Sequence, residues 1–146
     1  MKPVGIGIVG CGKISDAYFG NLKKFDGVAT ACCADLDARR AQAKAAQWDV
    51  PRHGTVDELL ADPAVELVVN LTIPQAHADV DLRALRAGKH VYSEKPFATS
   101  LQEADEVIAL ATKARLDWDA DGERFTNNNR ANELLDYEYR PPWTHE

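Results

Sequence analysis

The sequence opens on Val4-Gly-Ile-Gly-Ile-Val-Gly-Cys-Gly-Lys-Ile-Ser15, and no other stretch restricts the fold as tightly. Gly5, Gly7, Gly10 and Gly12 interrupt an otherwise apolar run, so two registers of a G-x-G-x-x-G fingerprint compete. Gly5-x-Gly7-x-x-Gly10 fits by letters but lies inside what has to be the first strand. Gly10-x-Gly12-x-x-Ser15 begins where the run of Ile6, Ile8 and Val9 ends and a helical pattern starts. The fingerprint has mechanical meaning only at a strand-to-helix turn, so the second register is the one adopted. There Gly10 allows the tight turn and Gly12 lets the backbone approach a pyrophosphate. Ser15 is the small residue that lets helix and strand pack closely. Phosphates would sit against the positive end of that helix, with Lys13 and Ile14 supplying backbone N–H groups.

The rest of the chain alternates between the two periods. Ile14, Ala17, Tyr18, Leu22 and Phe25 predict a first helix over 14–25, ended by Gly27. Residues 28–34 form an apolar run of strand length, and Asp35-Leu-Asp37 can cap a second helix over 38–47. Pro51 and Gly54 punctuate, and Thr55-Val-Asp-Glu58 is a capping box for a short helix over 56–61. Residues 65–71 read as a third strand, apolar enough to be covered on both faces. A helix over 75–87 follows, with Pro74 near its start and Gly88 at its end. A fourth strand spans 90–93. Ser100-Leu-Gln-Glu103 then opens a last long helix, with Leu101, Ala104, Val107, Ile108 and Ala111 as its buried face. This alternation implies an α/β fold, a Rossmann-type doubly wound parallel sheet of about four strands in the order 3-2-1-4. Ligands bind such sheets beyond the carboxyl ends of the strands, where the order reverses. The Gly10 loop and Glu94-Lys95 are expected to meet there.

Charge and composition remove several functions. Net charge is −6, from 23 acids against 17 bases, and no basic run exceeds two residues, which argues against nucleic acid as a partner. No apolar run approaches a membrane span, and the start of the chain leaves no room for a signal peptide. Cys11, Cys32 and Cys33 lack metal-ligand spacing and read as buried thiols in a reducing compartment. The expectation is a cytoplasmic protein without a metal.

Several of these pieces together match a known family. Gly10-Cys-Gly-Lys-Ile-Ser15, Ala34-Asp35, Thr72-Ile-Pro-Gln-Ala-His77 and, most specifically, Gly88-Lys-His-Val-Tyr-Ser-Glu-Lys-Pro96 carry the match. The chain resembles the glucose–fructose oxidoreductase, inositol dehydrogenase and MocA family of NAD(P)-dependent oxidoreductases. The resemblance covers residues 1 to about 114, the nucleotide-binding half of that family. It implies a sugar or polyol dehydrogenase, with hydride transfer at a secondary alcohol. Family members carry a second α/β domain that holds the sugar and supplies an acid–base histidine, and nothing here encodes it. Instead 116–125, 131–135 and 139–143 look like the extreme C-terminus of some members. The chain reads like a member whose middle has been removed and whose ends are joined near Arg115. The expected organisation is a Rossmann domain over 1–115 and a tail over 116–146. Trp118, Phe125, Tyr139 and Trp143 would let that tail pack on the domain or on a partner subunit. An exposed sheet edge is a second route to a homo-oligomer.

The candidate site follows. Asp35, at the end of strand 2, is placed to accept hydrogen bonds from the adenosine ribose; Asp37 can take over its capping role. An acid there repels a 2′-phosphate, so NAD is favoured over NADP, with Arg39 and Arg40 as the residues that could reverse the preference. Thr72 and Pro74 border the ribose path. His77, with Asp81 four residues on, is counted with the cofactor-binding set and reads as a capping or packing residue rather than a catalyst. His90 reads as structural and Cys11 as packing. The resemblance implies that Glu94 touches the nicotinamide ribose and that Lys95 contacts the reacting hydroxyl. A lysine there can stabilise charge developing on oxygen. The resulting set is Lys95 as catalytic residue, with Gly10, Gly12, Lys13, Ile14, Asp35, Thr72, Pro74, His77 and Glu94 for the cofactor. An incomplete catalyst is one reading. A scaffold with a vestigial site, or an enzyme completed by a partner chain, are the others.

Overall fold

The computed structural model describes residues 2–112, 118–119 and 124–126. They comprise β1 (Val4–Val9), α1 (Ser15–Leu22), β2 (Val28–Ala34), α2 (Ala38–Trp48), β3 (His53–Gly54), α3 (Val56–Ala61), β4 (Leu67–Asn70), α4 (Pro74–Arg86), β5 (His90–Ser93) and α5 (Leu101–Thr112), then the short pair β6 (Trp118–Asp119) and β7 (Arg124–Phe125). The first five strands form one parallel sheet in the order β3-β2-β1-β4-β5. β6 and β7 pair antiparallel, Trp118 opposite Phe125. The chain divides into two compact units, Met1–Val107 and Ile108–Glu146.

The order 3-2-1-4 is present, but its third member is the two-residue strand His53–Gly54, which the sequence shows only as punctuation between helices. The 65–71 run is therefore the fourth strand, Leu67–Asn70, and it lies directly against β1. Alternation along the strands feeds both faces, as a doubly covered sheet requires. Ile6 and Ile8 join Phe19, Ala41 and Ala45 under α1 and α2. Val9 joins Leu59, Leu60, Val68, Val80 and Ala84 under α3 and α4. The glycines inside β1 serve close packing: a Cβ on Gly5 would stand 1.7 Å from the Ala64 carbonyl oxygen, and one on Gly7 would stand 2.8 Å from Leu59 and Val65. By letters alone they rival the fingerprint glycines.

Helix boundaries follow the local chemistry. Asp37 caps α2, its side chain accepting from the amides of Arg39 and Arg40, and Thr55 and Glu58 form the full capping box on α3. α1 is shorter than its apolar spacing predicts. It ends at Leu22, and Phe25, placed in the buried stripe, is 62% exposed. In α5 Val107 is buried, but Leu101 is 86% exposed. An apolar stripe marks a face that is able to be covered, and here it is not covered at its first turn. The tail segments 131–135 and 139–143, with Tyr139 and Trp143, lie outside the described residues. No helix among the described residues is long and apolar enough to cross a membrane.

Candidate dinucleotide-binding site

The carboxyl ends of four strands are tied side by side. Gly10 N donates to Ala34 O (2.8 Å), Leu71 N to Val9 O (2.8 Å) and Glu94 N to Asn70 O (3.0 Å). Gly10 sits at φ +97°, and a Cβ there would lie 2.6 Å from the Leu71 carbonyl oxygen. Handedness and space both demand glycine. Gly12 is the opposite case, because nothing lies within 4 Å of where its Cβ would be. The loop thus leaves an open cradle beside its own backbone. α1 begins immediately after, with no side-chain hydrogen bond capping it at Ile14. Ser15 is fully buried, its hydroxyl donating to Gly12 O at 2.6 Å. Lys13 and Ile14 stay exposed at the mouth of this helix end. An uncapped N-terminus behind an open glycine turn is a ready anion site.

Asp35 closes the other side. Its side chain is only 7% exposed, and its carboxylate accepts from the Cys11 amide (2.8 Å), the Asp37 amide (2.8 Å) and the Arg40 guanidinium (3.3 Å). With Asp37 capping α2, Asp35 is left to hold the glycine loop through Cys11. Gly10, Gly12, Asp35 and Thr72 line one cleft of about 590 Å3, where they are joined by Arg40 and by the exposed apolar side chains of Leu36 and Ile73. A mostly apolar cleft of this size with a few fixed polar groups fits a nucleotide.

The remaining candidates do not line that cleft. Pro74 is the first residue of α4, whose N-cap Ile73 also lacks a side-chain hydrogen bond. Glu94 reaches α1 instead: the Tyr18 hydroxyl donates to Glu94 Oε1, and Lys95 N donates to Glu94 Oε2 at 3.0 Å. The Tyr18 bond, then that amide, holds the Glu94 carboxyl below its usual range. Burial, then the same bond, pushes the Tyr18 phenol up. Tyr18, on the helix that follows the Gly10 loop, thus links that loop to the Glu94-Lys95 turn, while β4 stands between their strands. Lys95 is exposed and precedes Pro96 across a cis peptide bond.

His77 is packed inside the protein, in line with its reading as a capping or packing residue. It is 1% exposed, with Nδ1 2.6 Å from Pro96 O and Nε2 3.0 Å from Thr72 O. Both ring nitrogens are engaged by backbone carbonyls, and His77 is not among the residues lining the cleft. Asn70, absent from the sequence candidates, is a hub of the surrounding hydrogen bonds. Its amide donates to His77 O (3.0 Å) and Asp81 Oδ1 (2.7 Å), and its Oδ1 accepts from the Thr72 hydroxyl (2.7 Å) and amide (3.2 Å). One polar residue ending an otherwise apolar strand is the signal the sequence offers. Tyr18 reads as core by its spacing, and nothing local marks its reach to Glu94.

Cys11, Cys32 and Cys33 are buried free thiols. A hydrogen bond with Cys33, then burial, raises the Cys11 thiol, and burial pushes Cys32 up to about 11. Cys11 and Cys32 stay protonated at neutral pH, whereas the hydrogen bond with Cys11 lowers the Cys33 thiol. Among the described residues no group of three or more His, Cys, Asp or Glu is placed to hold a metal ion.

Comparison with known proteins agrees with this geometry. The family profile described as an oxidoreductase family with an NAD-binding Rossmann fold matches residues 4–117. Inositol 2-dehydrogenase of Salmonella typhimurium is 34% identical over 110 residues, covering 73% of this chain and 33% of that protein. Two solved structures are similar over 77% of the chain. One is the 3-ketoreductase KijD10 of Actinomadura kijaniata with NADP and TDP-benzene (TM-score 0.72, 28% identity, 35% of that chain). The other is the dehydrogenase WlbA of Chromobacterium violaceum with NADH and UDP-GlcNAcA (TM-score 0.73, 27% identity, 33% of that chain). The chain spans about a third of the length of these relatives. With the profile running from the first strand through the last long helix, the chain belongs to the glucose–fructose oxidoreductase, inositol dehydrogenase and MocA family of oxidoreductases and carries its NAD-binding Rossmann domain.

Proposed function

We propose that this domain binds NAD(H), as the dinucleotide half of an oxidoreductase that moves hydride between nicotinamide and a secondary alcohol of a sugar or polyol. One observation carries the reading: the open cradle at Gly12, against an uncapped helix and across from a fixed carboxylate. Gly12 and the amides of Lys13 and Ile14 hold the pyrophosphate, and Asp35 receives the adenosine ribose. Thr72 and Pro74 border the ribose path, and Glu94 lies on the nicotinamide side. A bound nicotinamide supplies or accepts the hydride. Lys95 polarises the alcohol oxygen and stabilises negative charge there. NAD is favoured because Asp35 repels a 2′-phosphate. Its pairing with Arg40 supports a weaker NADP mode, and the solved relatives hold either cofactor.

Calorimetric titration tests this. NAD+ should bind more tightly than NADP+, and Gly12→Val should weaken NAD+ at least about tenfold, or 1.4 kcal/mol. Asp35→Asn keeps much of the hydrogen bonding and removes the charge, so it should narrow the preference for NAD+. Binding of neither nucleotide would sink the reading. We also propose that these 146 residues do not turn over polyols alone. A nicotinamide absorbance signal from polyol and NAD+ would contradict that, and turnover that appears only with a partner chain would identify what completes the enzyme.

A further inference from the structure

Behind the cleft lies a buried polar cluster formed by His77, Asp81 and Asn70. The two ring nitrogens of His77 each face a backbone carbonyl oxygen, Thr72 O at 3.0 Å and Pro96 O at 2.6 Å. A carbonyl oxygen only accepts, so each contact needs an N–H from the ring. A neutral imidazole has one N–H and an imidazolium has two, so no neutral tautomer satisfies both carbonyls. The two carbonyls belong to different parts of the site. Thr72 lines the cleft, and Pro96 closes the turn that carries Lys95.

Charged and polar groups from several elements face the ring. On the same helix, Asp81 has Oδ1 bonded to Asn70, while its Oδ2 is buried without a hydrogen-bond partner, as is Ser93 Oγ from β5. Asp81 and Glu94 both interact electrostatically with His77. Lys95, exposed beside Glu94, is the opposing cation in the turn, and β4 contributes only the neutral Asn70. Burial, the largest influence on it, raises the Asp81 carboxyl above its ordinary range.

We propose that His77 is a positioning residue of the dinucleotide site, clamping the Thr72 loop to the Lys95–Pro96 turn when its ring carries two protons and releasing one of them when it loses one. The inference rests on the dinucleotide reading of the cleft and adds a proton-controlled link between its two sides. Nucleotide affinity is then greater when the ring holds both protons.

Long-range proton–nitrogen spectra of the nucleotide-free chain across about pH 5.5 to 8, where imidazoles titrate, read the ring directly. The expected result is two protonated ring nitrogens in acid and one above. The amides of Ile73 and Phe97, which share peptide groups with the two carbonyls, should shift with the same midpoint. A single neutral tautomer throughout, or amides that ignore the ring, overturns the proposal. In calorimetry the NAD+ dissociation constant should rise at least about fivefold over that range. His77→Gln should flatten the profile, and a variant lacking the exposed His53 and His90 should retain it. A flat wild-type profile also overturns the proposal. If neither nucleotide binds at any pH, the dinucleotide reading fails while the spectra still decide the clamp. Those spectra are taken on the unaltered chain, so they decide the clamp even if His77→Gln does not fold.

Discussion

Two glycines two residues apart answer to different constraints. At Gly10 the protein itself excludes a side chain, through a positive φ and the Leu71 carbonyl. Gly10→Ala should therefore cost about 2–4 kcal/mol in urea denaturation, a strained backbone added to a close contact. At Gly12 the protein leaves space. Gly12→Val should unfold at nearly the wild-type urea concentration while losing nucleotide, a separation of stability from binding that the same fingerprint letters do not reveal. Legibility divides along that line. Gly10, Gly12 and Asp35 are readable in the sequence because strand end, turn and helix start are local. His77 and Glu94 are placed by resemblance, and the structure gives both new partners, because contacts to Pro96 and Tyr18 depend on which strands are neighbours.

At the scale of elements, Tyr18 joins α1 to the turn after β5. Glu94 is held low in the folded chain, so its contribution is present above its unfolded value and is lost as pH falls through the lowered one. Tyr18 is held high, so its share is complete below the ordinary phenol value and is lost as pH rises through the raised one. The tether is whole across neutral pH. Tyr18→Phe should lower the melting temperature near neutrality, and the gap from wild type should shrink in acid. A gap that stayed constant into acid would mean that Glu94 has no part in the effect. Within the five-stranded sheet, strand recognition fails in one place. His53–Gly54 pairs Cys33 and Ala34 over two residues only, too short for any periodicity to register. Capping chemistry reads better, since Thr55 and Glu58 act within one turn.

For the molecule as a whole, the two sheet edges differ. β3 is two residues long, which by itself blunts that edge. Among the described residues β5 pairs only with β4, and it carries Tyr92 at 56% exposure. Association through this edge is expected to grow with concentration in sedimentation experiments, and Tyr92→Lys should reduce it. An unchanged monomer fraction in that variant would point elsewhere on the surface.

The bond from the Cys11 amide to Asp35 has a kinetic consequence. The turn is already folded around a carboxylate before any nucleotide arrives, so binding has no loop to order and loses little conformational entropy. Mixing the chain with NAD+ in a stopped-flow instrument should give one exponential whose rate climbs linearly with nucleotide concentration. A plateau would mean a slow rearrangement precedes capture. In Asp35→Ala the loop loses that internal anchor. Arrival should then acquire a second, concentration-independent phase, and the waiting time would belong to the protein rather than to diffusion.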